Sequence, residues 1–118
     1  MHGTLPAPCS LGGFAAGIAR ALDREPMVLG DPERTLRRIA WCTGAAQGYI
    51  EDAVRLGVDA YLTGEVSEQT VHVSREAGIG FIAAGHHATE RYGIRALGEH
   101  LARRFGLEHR FVEVANPV

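Results

Sequence analysis

At 118 residues the chain is long enough for one domain with a real core and too short for two. Its 46% hydrophobic and 22% charged content is that of an ordinary globular protein. A net charge of -2, with no basic cluster beyond the pairs Arg37-Arg38 and Arg103-Arg104, argues against a nucleic-acid surface, and no apolar run approaches a membrane span.

Residues 1–9 contain glycine and proline, show no periodicity, and read as a mobile lead-in. Ser10 then caps a helix whose stripe is Leu11, Phe14, Ala15, Ile18 and Leu22, and Pro26 ends it. Met27-Val28-Leu29 is a short strand candidate, and residues 36–42 read as a second strand. A small-residue loop, 43–48, leads into a helix over 49–56 that stops at Gly57. A strand over 59–63, a helix over 65–77 and a strand over 79–84 follow. The spacing predicts the longest helix over 86–105, with Ile94, Leu97, Leu101 and Phe105 as its core stripe, and a last strand over 109–114. The alternation implies an α/β domain over 10–118, with a mostly parallel sheet covered by helices.

In such a sheet the strand C-termini share one rim, and ligands bind there. Here that rim gathers Cys42-Thr43-Gly44, Thr63-Gly64-Glu65 and Gly85-His86. His86 and Glu90 are four residues apart, so they stack on one helix face as a candidate metal pair. His87 is offset by about 100° and does not serve the same site. Glu65 is open between ligand, general base and complement to a helix dipole. The 43–48 loop reads as a phosphate cradle or a tight turn, and it matches no P-loop spacing. Arg91 and Arg95 read as anion contacts or as surface cations, while His72, His100 and His109 read as exposed. Cys9 and Cys42 suggest neither a disulfide framework nor a metal knuckle. The first residues lack the parts of a signal peptide, which leads to the expectation of a cytoplasmic protein.

Three stretches carry a family resemblance. Arg38-Ile39-Ala40-Trp41-Cys42-Thr43-Gly44, the run from Asp59 through Thr63-Gly64-Glu65 to Gln69, and Gly85-His86-His87-Ala88-Thr89-Glu90 resemble the C-terminal half of the dinuclear-metal-centre proteins. These are known as GTP cyclohydrolase I type-two homologues, or Ngg-interacting-factor-three-like proteins. The likeness runs from about residue 10 to the terminal Asn116-Pro117-Val118. It implies one lobe of a two-lobed α/β fold, assembled as a hexameric toroid with two divalent metal ions per complete site. It also implies that His86 and Glu90 are metal ligands, that Glu65 occupies an acidic position near the site, and that a His-His pair and an Asp come from the other lobe. His86-His87 is the sole His-His pair here, and it belongs to the C-terminal motif. The expectation is therefore a fragment, truncated homologue or split half that binds metal weakly or not at all alone, or else an oligomer that brings several His86/Glu90 pairs together.

A completed site would carry out metal-assisted hydrolysis, with Glu65 as candidate base; the family's name implies attack on a purine nucleotide ring, and phosphoester hydrolysis would use the same ions. The alternative is a non-catalytic, self-associating or metal-binding module. Either way, exposure of the surface that the other lobe would cover leads to the expectation of a homo-oligomer.

Overall fold

The computed structural model describes residues 1–117. The elements in chain order are β1 (His2–Ser10), α1 (Leu11–Leu22), β2 (Met27–Leu29), β3 (Thr35–Trp41), α2 (Ile50–Arg55, entered through a 3-10 turn over Gln47–Tyr49), β4 (Ala60–Thr63), α3 (Glu68–Ala77), β5 (Gly80–Ala83) and α4 (His86–Phe105). The five strands form one sheet in the order β1-β3-β4-β5-β2. The central strands β3, β4 and β5 run parallel. Both edge strands are antiparallel to their neighbours. The α/β class and the parallel centre are as the sequence predicts.

Successive strand residues point to opposite faces, and each face has its own core. Tyr61, Phe81 and Ala83 pack with Ile50, Ala53, Val58 and Ile79 on one side. Ala60 and Ile82 pack with Leu11, Ala15, Leu36 and Ile39 on the other. Helices α1 and α3 start at side-chain caps. The Ser10 hydroxyl accepts the Gly13 N–H at 3.1 Å at the start of α1. Ser67 and Thr70 form a reciprocal capping box at the start of α3. That box sets the start of α3 three residues later than the predicted start at Glu65.

Three further expectations are corrected. Residues 1–9 are not a mobile lead-in: His2–Ser10 is strand β1, paired antiparallel with β3. Pro6 and Pro8 fall where the pairing register slips between Thr4 and Cys9, and they hide the strand period. The segment over 109–114 is not a strand: it pairs with none of the five strands among the described residues. It returns along α4 instead. Its Glu113 reaches His87 at 3.2 Å and Arg91 at 2.8 Å, and the His109 ring lies against Gly98.

The third correction concerns the α4 stripe. Ile94, Leu97, Leu101 and Phe105 are 62%, 52%, 38% and 63% exposed, and Ala88 is the one buried residue of the helix. A helical period reports that a face is apolar; it does not supply the element that covers it. Among the described residues no helix is long and apolar enough to cross a membrane.

Candidate functional site

The rim of the parallel strands is built from backbone more than from side chains. The ladder continues past the strand ends: Cys42 N–H donates to Leu62 O at 3.0 Å, Ala84 N–H to Thr63 O at 2.8 Å, and Gly85 N–H to Gly64 O at 2.9 Å. The Gly44 carbonyl accepts from Gly64 N–H at 3.0 Å and from the buried Thr63 hydroxyl at 3.2 Å. The Tyr61 hydroxyl donates to Ala46 O at 2.8 Å, and burial pushes its pKa up to about 12. The 43–48 loop is therefore a turn stapled to β4. Of the two readings left by the sequence, the structure supports the turn.

Two glycines allow the three junctions to close on one another. A Cβ on Gly64 would stand 2.7 Å from both Gly44 O and His86 Cα, which is too close for any side chain. Gly44 has a positive φ of 69°, and a Cβ there would overlap the Glu90 carboxylate and lie 3.2 Å from His86 Nε2. Thr89 locks the start of α4 to this loop. Its hydroxyl accepts the Gly44 N–H at 3.2 Å and donates back to Gly85 O or His86 O, at 2.9 and 3.0 Å. Sequence reasoning gave Thr89 no role; its place in the Gly-His-x-x-Thr-Glu element was the available signal.

These contacts bring the three sequence-predicted site residues together. His86 Nδ1 lies 2.7 Å from a Glu65 carboxylate oxygen, and His86 Nε2 lies 3.0 Å from Glu90. Glu65 precedes α3 by three residues, so it is not a first-turn complement to that helix dipole; it holds the imidazole instead. The hydrogen bond to Glu65 raises the His86 pKa above its ordinary 6.5, the Glu90 charge adds to the rise, and desolvation partly opposes it. A cleft of about 530 Å³ opens beside the pair, lined by His86, Glu90, Arg91, Ile94 and Phe111 among others.

The remaining candidates lie elsewhere. His87 faces Glu113, as its angular offset requires. Arg91 is committed to Glu113 and to Leu22 O at 2.6 Å, and Arg95 to Glu99 at 3.2 Å, so neither is a free anion contact. His72, His100 and His109 are exposed. Cys9 and Cys42 are free thiols.

Comparison with known proteins decides the relationship. The family model for DUF34/NIF3 (NGG1p interacting factor 3) matches residues 1–117. The chain belongs to the DUF34/NIF3 family. Among curated relatives, a Pseudomonas aeruginosa protein named GTP cyclohydrolase 1 type 2 homolog is 60% identical over 115 residues, which are 98% of this chain and 45% of the relative. One of the same name from Allochromatium vinosum is 55% identical, again over 98% of this chain and 45% of the relative. The solved structure of protein ybgI, described as of unknown function, superposes with a TM-score of 0.94 at 50% identity, covering 99% of this chain and 48% of that one. The chain thus spans about half the length of the relatives it matches.

Within this DUF34/NIF3 chain, the donor set fits one side of a metal centre. One ring nitrogen of His86 and the Glu90 carboxylate present adjacent nitrogen and oxygen ligands. Glu65 accepts from the other ring nitrogen, the partner that a metal-binding imidazole needs to fix its tautomer and orientation. The set is also short. Among the described residues no group of three or more His, Cys, Asp and Glu side chains is placed to hold a metal ion, and firm sites use three or four protein ligands.

Proposed function

We propose that this chain is the metal-binding lobe of a dinuclear-metal hydrolase of the DUF34/NIF3 family, incomplete when alone. The observation that supports it most directly is the Glu65–His86–Glu90 relay at the strand rim, with both imidazole nitrogens engaged by carboxylates. In this reading His86 Nε2 and Glu90 are ligands. Glu65 is read as a positioning residue: it holds the Nδ1 proton and orients Nε2 toward Glu90. When bound, divalent ions there supply Lewis-acid chemistry for hydrolysis. The relatives' name points to a nucleotide substrate of the GTP cyclohydrolase kind, and a simpler phosphoester suits the same chemistry. Assembly of the completed unit as a homo-oligomer, the hexameric toroid that the resemblance implies, belongs to the same proposal.

The shortfall in ligands favours a second reading for this chain by itself, a metal-binding or interaction module without turnover. Calorimetric titration of the purified chain with Mn²⁺ or Zn²⁺ tests the site. Weak binding is expected for the native sequence and none for His86→Ala/Glu90→Ala. Equal binding by both proteins would remove the metal reading.

A further inference from the structure

The turn that delivers His86 is held from a direction that the strand rim does not supply. Gly85 sits at φ 95° and ψ 130°, a positive-φ conformation that glycine adopts without steric cost. Its N–H donates to Gly64 O at 2.9 Å. Its carbonyl accepts the Thr89 N–H at 3.1 Å and lies 2.9 Å from the Thr89 hydroxyl. The polar groups of the turn are thus fixed from the sheet and from the helix, which leaves the Cα side. The Arg24 side chain occupies that side. A Cβ on Gly85 would stand 2.7 Å from Arg24 Nε, 3.0 Å from its Cδ and 3.1 Å from its Cζ. The flat end of the arginine therefore lies across the space that a side chain would fill. Arg24, Gly64, Glu65 and Gly85 line one hollow of about 280 Å³ on this side of the rim.

Arg24 is itself tied at both ends. Its backbone closes α1: Asp23 takes the left-handed conformation at φ 52°, the one non-glycine positive φ among the described residues, and the Arg24 N–H reaches back to Ala19 O at 3.1 Å. Its guanidinium donates to Asn116 O at 3.3 Å and to Pro117 O at 2.6 Å. A planar fork that meets two acceptors at once is pre-organised in a way that a lone surface ammonium is not. From this geometry we infer that Arg24 is a positioning residue for His86: it backs the Gly85 turn from its open side and so fixes where the imidazole stands between Glu65 and Glu90. It acts through the Gly85 backbone and not on the ring. The two contacts it protects, at 2.7 and 3.0 Å, weaken steeply with small displacements of the start of α4. The consequence for metal affinity rests on the metal reading above; the placement of His86 does not.

Arg24→Ala in the purified chain tests the inference, with Arg20→Ala, an exposed cation of α1, as the control. The readout is the nitrogen–proton correlation spectrum of the histidine rings at one pH, which reports the protonation and hydrogen bonding of each ring nitrogen. In Arg24→Ala the His86 signals are expected to move, because the ring turns away from at least one carboxylate. Arg20→Ala should leave them in place. Arg24→Lys, whose stem still covers Gly85, should return them toward their native positions. A merely structural role for Arg24 would lower stability and leave the His86 signals of the folded protein unmoved. If Arg24→Ala does not fold, Arg24→Gln, which cannot span both carbonyls, is read in the same way. Unmoved His86 signals in a folded Arg24 variant overturn the inference, and so does an equal shift in Arg20→Ala. Titration with Mn²⁺ separates the inference from the metal reading, with Arg24→Ala expected to bind about tenfold more weakly than the native chain. Moved His86 signals in a chain that binds no Mn²⁺ sink the metal reading and leave the role of Arg24. Mn²⁺ binding that needs His86 and Glu90, with affinity and His86 signals untouched in Arg24→Ala, does the reverse.

Discussion

Strand β5 and helix α4 follow one another in the chain, and they treat their apolar residues in opposite ways. Phe81 and Ile82 on β5 have no exposed surface, because β4 and β2 flank the strand and packed cores lie on both faces. Four residues later the chain enters α4, whose apolar stripe faces outward along its length. Both segments carry the periodicity of a core element. The contrast teaches that periodicity specifies a contact without saying which polypeptide provides it.

The widest separation between the two regions should be in stability. Phe81→Ala removes a fully buried ring that packs against Tyr61 at a centroid distance of 6.0 Å, and it should cost about 3–5 kcal/mol in urea unfolding. Leu97→Ala in the isolated chain should stay within about 0.5 kcal/mol of the native value. A Leu97→Ala cost comparable to that of Phe81→Ala would show that α4 is covered after all.

The next effect lies at the hinge between the regions. Gly64→Ala would press a methyl group into Gly44 O and the His86 backbone, and should cost about 1–3 kcal/mol. It should also move the His86 ring resonances in the NMR spectrum, since the start of α4 has to retreat. Unchanged stability and resonances would mean that the three junctions are not closely packed.

The smallest effect is electrostatic and confined to the site. His86 is raised above 6.5 chiefly by its hydrogen bond to Glu65. In Glu65→Gln, an NMR titration should show the His86 pKa falling toward 6.5. A group whose pKa is raised on folding contributes stability that is complete below its unfolded pKa and is lost as pH rises through the folded one. The native chain should therefore exceed Glu65→Gln in stability more at about pH 6 than at about pH 9. An unmoved His86 titration would refute the Glu65 contact.

The fold was largely legible where local signals agree. Ser10, Pro26, Gly57 and Gly78 mark element ends, and the three central strands stand out as short apolar runs. β1 was missed because an edge strand with two prolines and a register slip keeps no clean alternation. The residues over 109–114 have a strand-like composition, but among the described residues they pair with no strand, and Glu113 is held to α4 instead. In the site, the His86/Glu90 pair is local and could be read from helical spacing. The contact between His86 and Glu65, 21 residues apart, arises only when adjacent parallel strands align their ends. The function of Thr89 likewise depends on where the Gly44 loop sits, which no spacing reveals.

The proline-containing edge strand bears on how such a chain avoids fibrous aggregation. A sheet grows by adding strands at its edges, where unpaired N–H and C=O groups template a newcomer. Here one edge is β1, interrupted by Pro6 and Pro8, which bring no N–H to a ladder, and by the slip that bends it. The other edge is β2, only three residues long. Neither supports an extended cross-β stack. The protein can carry a long uncovered apolar helix without inviting amyloid-like growth, and the contacts left open to it are side-chain contacts, whose shape can discriminate among partners in a way that backbone pairing does not.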